Sequence, residues 1–176
     1  MPIDEELRLE RSYITDLSSL ASRTGLRRLF LTRSRISDIG PLAALTRLER
    51  LHLSYTAVSD LTPLVGMANL TALFLTGSLV EDITPLAGLI HLERLDLGGT
   101  PVSDVTPLAG LRGLVSLDLS GTPVGTVAPL AALTALRHLD VTATPITDLS
   151  PLAALGGCRI VTSPPIARRR LIKTRS

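Results

Sequence analysis

Aromatic residues are almost absent from this chain of 176 residues, which contains no tryptophan, two phenylalanines and two tyrosines. Leu, Val, Ile and Ala must therefore supply the core, and the chain is long enough to build one. Cysteine is equally scarce. Because Cys158 is the only one, no disulfide can form within the chain, and we interpret this residue as a small buried hydrophobic side chain.

Long apolar segments are also missing. The first residues, MPIDEELRLERS, carry charges where a secretory signal needs an uninterrupted apolar stretch, and no membrane-spanning run follows. We therefore predict a soluble, cytoplasmic protein, and secretion as an effector stays open.

The formal net charge of +2 comes from the C-terminal end, because the rest of the chain has 13 Arg against 16 Asp and Glu. Residues 164–176 form a basic tail without acids. It could bind nucleic acid or an anionic membrane surface, or it only solubilises or covers the last unit. The short cluster without aromatic residues favours the second interpretation. Its basic residues are Arg168, Arg169, Arg170, Lys173 and Arg175.

What the sequence does contain is a strict repeat of 22 residues, with the template L-x-x-L-x-L-x-x-T-x-V-x-D-x-x-P-L-A-x-L-x-x. Units begin near residues 4, 26, 48, 70, 92, 114 and 136, and a partial terminal unit begins at 158. A constant period without insertions is typical of a solenoid whose neighbouring units share one core. We predict a solenoid over residues 1–163, followed by the tail.

Each unit predicts its own local structure. Leucines at positions 4 and 6 have the period of a short strand, and stacked units place these strands in a parallel sheet. A Thr-Pro or Ser-Pro pair predicts a hydroxyl N-cap and one turn of α or 3₁₀ helix, with Leu and Ala of P-L-A facing the core. The Asp at position 13 is interpreted as a backbone-capping residue rather than a metal ligand.

This pattern resembles the leucine-rich repeat in the short bacterial form of the internalins, and it is also similar to the leucine-rich regulatory subunit of protein phosphatase 1. The resemblance implies an α/β solenoid shaped as a curved horseshoe, with a concave sheet that binds other proteins. Two features differ. Ser or Thr stands where the family has a buried Asn, which predicts a ladder of hydroxyls. The signal peptide, helical cap and wall-attachment segment of internalins are not visible, so we do not expect host-cell invasion.

The concave face carries the candidate partner site. Position 5 forms a column that contains both phenylalanines, and Tyr55 stands beside it at position 8. We predict an aromatic anchor for a partner protein, because the core makes no use of these rings. The alternative is that the rings pack on each other and on the stems of Arg28 and Arg50. The column reads Arg8, Phe30, His52, Phe74, Asp96, Asp118, Asp140.

Charge changes sign along this face. The basic end holds Arg8, Arg11, Arg28, Arg33 and Arg50, and the acidic end holds the three aspartates, with Arg94 and His138 alongside and Arg94 offsetting part of their charge. The aspartates are a solvated strip, a docking surface for basic side chains, or a weak cation site. The first two are favoured because hard cations need about six or more converging oxygens.

No catalytic nucleophile with its base, no phosphate loop and no metal spacing stands out beyond the repeat itself. We therefore predict a non-catalytic scaffold, without cofactor or metal, that binds an unidentified protein on its concave face. Its oligomeric state stays open, with a monomer favoured. The alternative function is an accessory protein that binds nucleic acid or an anionic membrane through the tail.

Overall fold

The computed structural model describes residues 5–163. Eight strands of three residues each form one parallel sheet in chain order, so every strand lies next to the strands that precede and follow it. The predicted curved solenoid with a concave parallel sheet is confirmed. The strands are β1 Glu6–Arg8, β2 Arg28–Phe30, β3 Arg50–His52, β4 Ala72–Phe74, β5 Arg94–Asp96, β6 Ser116–Asp118, β7 His138–Asp140 and β8 Arg159–Val161.

The register follows the repeat until the last strand. Leu117 pairs with Leu139, 22 residues further on, whereas Leu139 pairs with Ile160, only 21 residues further on. Cys158 still takes the place of the first leucine, because its N–H donates to the carbonyl of Leu155. β8 therefore slips by one residue relative to the sequence period. It is paired on one side only within the described sheet, so a single neighbour fixes its register.

The core is a continuous aliphatic column beneath the sheet. In the central units, leucines at positions 1, 4 and 6 are buried together with the aliphatic residues of positions 11 and 14, whereas some of their equivalents in the terminal units are half-buried. No aromatic side chain is among the buried residues of 5–163. Each fully buried leucine contributes about 1.5–3 kcal/mol relative to an exposed one. Cys158 is half-buried against this core, and burial raises the pKa of its thiol.

Short 3₁₀ turns form the convex side, as predicted, but only one of the two predicted caps is present. The hydroxyl of the Thr or Ser before Pro caps none of the described turns. The predicted capping by the Asp at position 13 is confirmed, because its carboxylate accepts the N–H of the residue two further on, as Asp104 does from Thr106 at 2.8 Å. The alanine of P-L-A is also exposed or half-buried, because only the leucine side chain points inward. The turns are Ser18–Leu20, Gly40–Ala44, Thr62–Leu64, Thr84–Leu86, Thr106–Gly110, Ala128–Ala132 and Ser150–Leu152.

A row of hydroxyls replaces the asparagines of the family, but the hydroxyls do not link one unit to the next. Each donates to the carbonyl three residues earlier in its own unit, as Thr100 does to Leu97 at 2.6 Å. The buried hydroxyl of Ser78 is an exception, since it has no hydrogen-bond partner. These bonds close the corner that follows each strand within its own unit.

Candidate partner-binding surface

The strand register aligns position 5 of seven successive units in one column on the concave face. Arg8 pairs with Phe30, Phe30 with His52 and His52 with Phe74. Phe74 in turn pairs with Asp96, and the column continues through the next two aspartates. The sheet therefore brings the predicted aromatic and acidic residues into one line, because neighbouring strands pair in parallel with the same register.

The first four residues of the column form a continuous stack. The guanidinium of Arg8 lies 4.0 Å from the ring centre of Phe30, whose ring is 4.5 Å from that of His52. His52 is stacked on Phe74 at 4.1 Å with an angle of 14° between the rings. All three rings are half-buried. Burial lowers the pKa of His52, so the imidazole between the phenylalanines is held toward its neutral form.

The alternative that the rings pack on each other is therefore correct for these three rings. The guanidinium over the stack belongs to Arg8, rather than to Arg28 or Arg50. Because the three rings are only half-buried, part of each ring stays accessible to solvent on the concave face.

Tyr55 stands apart from this stack, at the edge where the chain leaves the strands. Its side chain is 52% exposed, and the guanidinium of Arg33 lies 5.0 Å from its ring centre. The ring lies on Gly77 of the next unit, so close that a Cβ atom there would stand 2.8 Å from Tyr55 Cδ1. Tyr55 is thus held flat beside the concave face.

The three aspartates of the column have a local role that the sequence did not reveal. In each, Oδ1 accepts the N–H of the residue two further on: Gly98 at 3.0 Å, Ser120 at 2.7 Å and Thr142 at 2.8 Å. One carboxylate oxygen of each is therefore committed to the turn after its strand. Within residues 5–163, no group of three or more His, Cys, Asp or Glu side chains is arranged to hold a metal ion.

The basic end is partly neutralised by Glu6, which sequence reasoning missed. Its carboxylate pairs with Arg8 at 2.7 Å and with Arg28 at 3.1 Å. The hydrogen bond from Arg8 is the main reason that the pKa of Glu6 is lowered. At the other end, the expected compensation by Arg94 is not seen, since no described ion pair joins it to the aspartates. Arg50 and His138 lie exposed in the column of position 3.

The basic residues of the tail, Arg168 to Arg175, lie outside the described residues. Over residues 5–163, no helix is long or apolar enough to cross a membrane.

Repeated strands, 3₁₀ turns and an aliphatic column define the class: this is a leucine-rich repeat protein. The chain belongs to the internalin family within that class. It is 34% identical to an internalin C2 from Listeria monocytogenes, with a TM-score of 0.86, covering 90% of this chain and 70% of that one. It is 31% identical to another internalin of that species, inlF, with a TM-score of 0.88, covering 92% of this chain and 48% of that one.

A leucine-rich repeat protein of Leptospira interrogans shares the fold at 20% identity, with a TM-score of 0.79, over 86% of this chain and 40% of that one. The chain thus spans about half the length of the inlF internalin. No protein-family model matches the chain, and no curated protein matches its sequence. Leucine-rich repeat folds of the internalin type commonly mediate protein–protein interaction, through the extended concave surface that stacked units create.

Proposed function

We propose that this chain is a non-catalytic scaffold that binds a partner protein on its concave face, anchored by the aromatic stack of Phe30, His52 and Phe74. One observation carries the proposal. Both phenylalanines of the protein stand half-exposed on this face, while the buried core of residues 5–163 contains no aromatic side chain. Rings in a rigid sheet give a partner large contact area at a small loss of conformational entropy.

Charges on both sides of the stack orient the partner in this proposal. Glu6 offsets part of the Arg8 and Arg28 charge, whereas Arg50 on the middle strand of the stack has no ion pair among the described residues. On the other side, three carboxylates follow one another on consecutive strands, each with one oxygen left for a partner. An extended or helical partner with basic residues at one end fits this arrangement. The flanking residues are Arg94, Asp96, Asp118, His138 and Asp140.

The proposal assigns partner contacts to the solenoid, residues 1–163, and none to the tail, residues 164–176. Sequence alone supports this division, because the 22-residue period ends before Pro164 and Pro165.

Exchange of Phe30 and Phe74 for alanine tests the anchor. We expect the Phe30→Ala, Phe74→Ala double variant to lose the protein that the wild-type chain captures from the host lysate. With the purified partner, affinity should fall at least about 30-fold, equivalent to about 2 kcal/mol, because central aromatic residues dominate interface energy. Affinity purification with mass spectrometry, followed by titration calorimetry, measures both.

Ile90→Ala is the matched control, because it removes an equally apolar side chain that is 60% exposed away from the strands. Circular dichroism of each variant confirms that it folds. A chain that lacks residues 164–176 should keep the partner. If the double variant retains full affinity, or if the truncated chain loses its partner instead, the concave anchor is wrong.

A further inference from the structure

The residue at position 8 of each unit has a left-handed backbone conformation. Its φ angle lies between 53° and 68° in seven successive units. Only glycine adopts this conformation without steric cost, and three units do use glycine. The first three units carry long side chains instead. The seven residues are Arg11, Arg33, Tyr55, Gly77, Gly99, Gly121 and Ala143.

The fold does not require these long side chains. Units with Gly99 and Gly121 form the same strand, corner and 3₁₀ turn as the units with Arg11 and Arg33. Both arginines are exposed, and Tyr55 is half-exposed on bare Gly77. Three consecutive units thus keep a strained backbone although packing does not require their long side chains. Such strain indicates a functional constraint on those side chains.

A second position at the same edge also carries long side chains in the first two units. Position 10 holds Tyr13 and Arg35 in the first two units, whereas the last three full units have proline there. Tyr13 is 80% exposed, and the guanidinium of Arg35 lies 4.7 Å from its ring centre. Both tyrosines of the protein and three arginines therefore share this edge, which we name the exit ridge: Arg11, Tyr13, Arg33, Arg35 and Tyr55.

The arginines of the exit ridge differ from their neighbours in the first two units. Arg8, Arg27 and Arg28 pair with glutamates, whereas no ion pair of the described residues includes Arg11, Arg33 or Arg35. Two of the three ridge guanidinium groups are held over tyrosine rings. A guanidinium stacked on a ring keeps its N–H edge available, and that edge matches a carboxylate in a two-point hydrogen bond.

We propose that the exit ridge is a second contact surface, which binds an acidic segment of a partner protein through carboxylate–guanidinium pairs. A groove of about 450 Å³ between Arg11, Thr32, Arg33, Tyr55 and Glu10 accepts the side chains of that segment. The stacked guanidinium edges suit two-point pairing with carboxylates, and a nucleic-acid strand is the competing occupant that the test below includes. The inference rests on the proposed function only in that the partner is a protein.

Binding of a fluorescein-labelled ten-residue peptide of alternating Glu and Ser tests the ridge, by fluorescence anisotropy at two salt concentrations. The matched Gln/Ser peptide and a ten-residue oligo-dT are the comparison probes. We expect the wild-type chain to bind the Glu/Ser peptide in preference to both. The Arg11→Gly, Arg33→Gly double variant should bind it at least tenfold more weakly, with an unchanged or higher Tm, because glycine relieves the backbone strain.

Two controls separate the ridge from general charge and from the concave anchor. Arg47→Ala with Arg112→Ala removes the same charge from exposed arginines elsewhere and should leave peptide affinity within twofold. The Phe30→Ala, Phe74→Ala variant should keep peptide affinity while it loses the concave partner. An Arg11→Gln, Arg33→Gln variant keeps the side-chain length and must show the same loss as the glycine variant.

The ridge is not an acidic-peptide site if the Glu/Ser peptide fails to bind, or if the control variant loses as much affinity. Preference for oligo-dT would point to nucleic acid instead and overturn the proposal. A Tm several degrees below wild type in both ridge variants would show that the arginines serve the fold.

Discussion

At the scale of single residues, two independent features of the structure require glycine at position 77. Its φ of 62° is left-handed, and the Tyr55 ring occupies the place where a side chain would begin. Gly99 has the same backbone conformation, at 66°, but the nearest atom to a Cβ there is the Gly77 nitrogen at 3.9 Å. The two glycines thus form a natural pair in which only the steric contact differs.

Substitution of these glycines by alanine should separate backbone strain from overpacking. Gly99→Ala is expected to lower the unfolding free energy by about 1 kcal/mol, because the Cβ of an alanine in the left-handed conformation lies too close to the following carbonyl oxygen. Ala143, at φ 55°, shows that the position tolerates one. Gly77→Ala should cost about 1–3 kcal/mol more, because the methyl group displaces the Tyr55 ring. Urea unfolding measures both.

A Tyr55→Ala exchange in the Gly77→Ala background should remove most of that additional loss. If the two glycine variants unfold at the same urea concentration, the ring does not rest on Gly77 in solution.

At the scale of elements, each convex turn depends on a single carboxylate. Asp16, Asp38, Asp60, Asp82 and Asp104 each accept one turn N–H at 2.7–2.8 Å. In the unit that lacks the aspartate, the hydroxyl of Thr126 accepts from Ala128 at 3.2 Å. Hydrogen bonds from the hydroxyl and N–H of Ser18 also lower the pKa of Asp16. Such a carboxylate stabilises the fold above its unfolded-state pKa and ceases to do so as pH falls through its folded-state pKa.

Removal of this capping group should lower stability in proportion to the bond that it makes. We expect Asp104→Ala to reduce the Tm by a few degrees, because a turn N–H loses its charged acceptor. Thr126→Ala should reduce it less, because the bond is longer and neutral. Differential scanning calorimetry at pH 7 and pH 3 compares them.

The difference between the two variants should shrink at pH 3, where protonation weakens the wild-type aspartate. An equal loss for both variants at both pH values would mean that carboxylate charge does not contribute to the cap.

At the scale of the whole molecule, stability is shared only between neighbouring units. Strands of three residues cannot persist alone, so each depends on the strands on both sides. Residues near the C-terminal end of the described solenoid are less buried than their equivalents: Ile146 and Leu149 are half-buried, whereas Val124 and Val127 are fully buried. Ile14 at the N-terminal end is also half-buried, but only the C-terminal end combines lower burial with a slipped strand, so opening of the solenoid should begin there.

Native-state hydrogen exchange should show this gradient directly. We expect amide protection to be highest in β3 to β6 and lowest in β8, whose single neighbour and slipped register leave its hydrogen bonds the least supported. Exchange detected by NMR or mass spectrometry resolves the strands. Equal protection in all eight strands would instead indicate that the solenoid opens as one cooperative unit.

Sequence by itself determined the architecture, because a 22-residue period without insertions allows the aliphatic positions to be buried only by stacking. It also determined which residues share the concave face, since strand pairing repeats the same offset from β1 to β7. The alignment of Phe30, His52 and Phe74 followed from that period alone.

Only the tertiary structure decided what those residues do once aligned. The cover of Arg8 over Phe30, the pairing of Glu6 with two arginines and the turn bonds of the aspartates depend on side-chain rotamers, which a period does not specify. Of the two caps that the sequence predicts, Asp104 makes its bond and the Thr106 hydroxyl does not, because the choice between two nearby acceptors also depends on rotamers. The slip of β8 arises where the repeat has no further neighbour to enforce it. The repeat therefore determines the position of each side chain in the solenoid. The contacts between different side chains determine which of their polar groups and ring surfaces stay available to a partner.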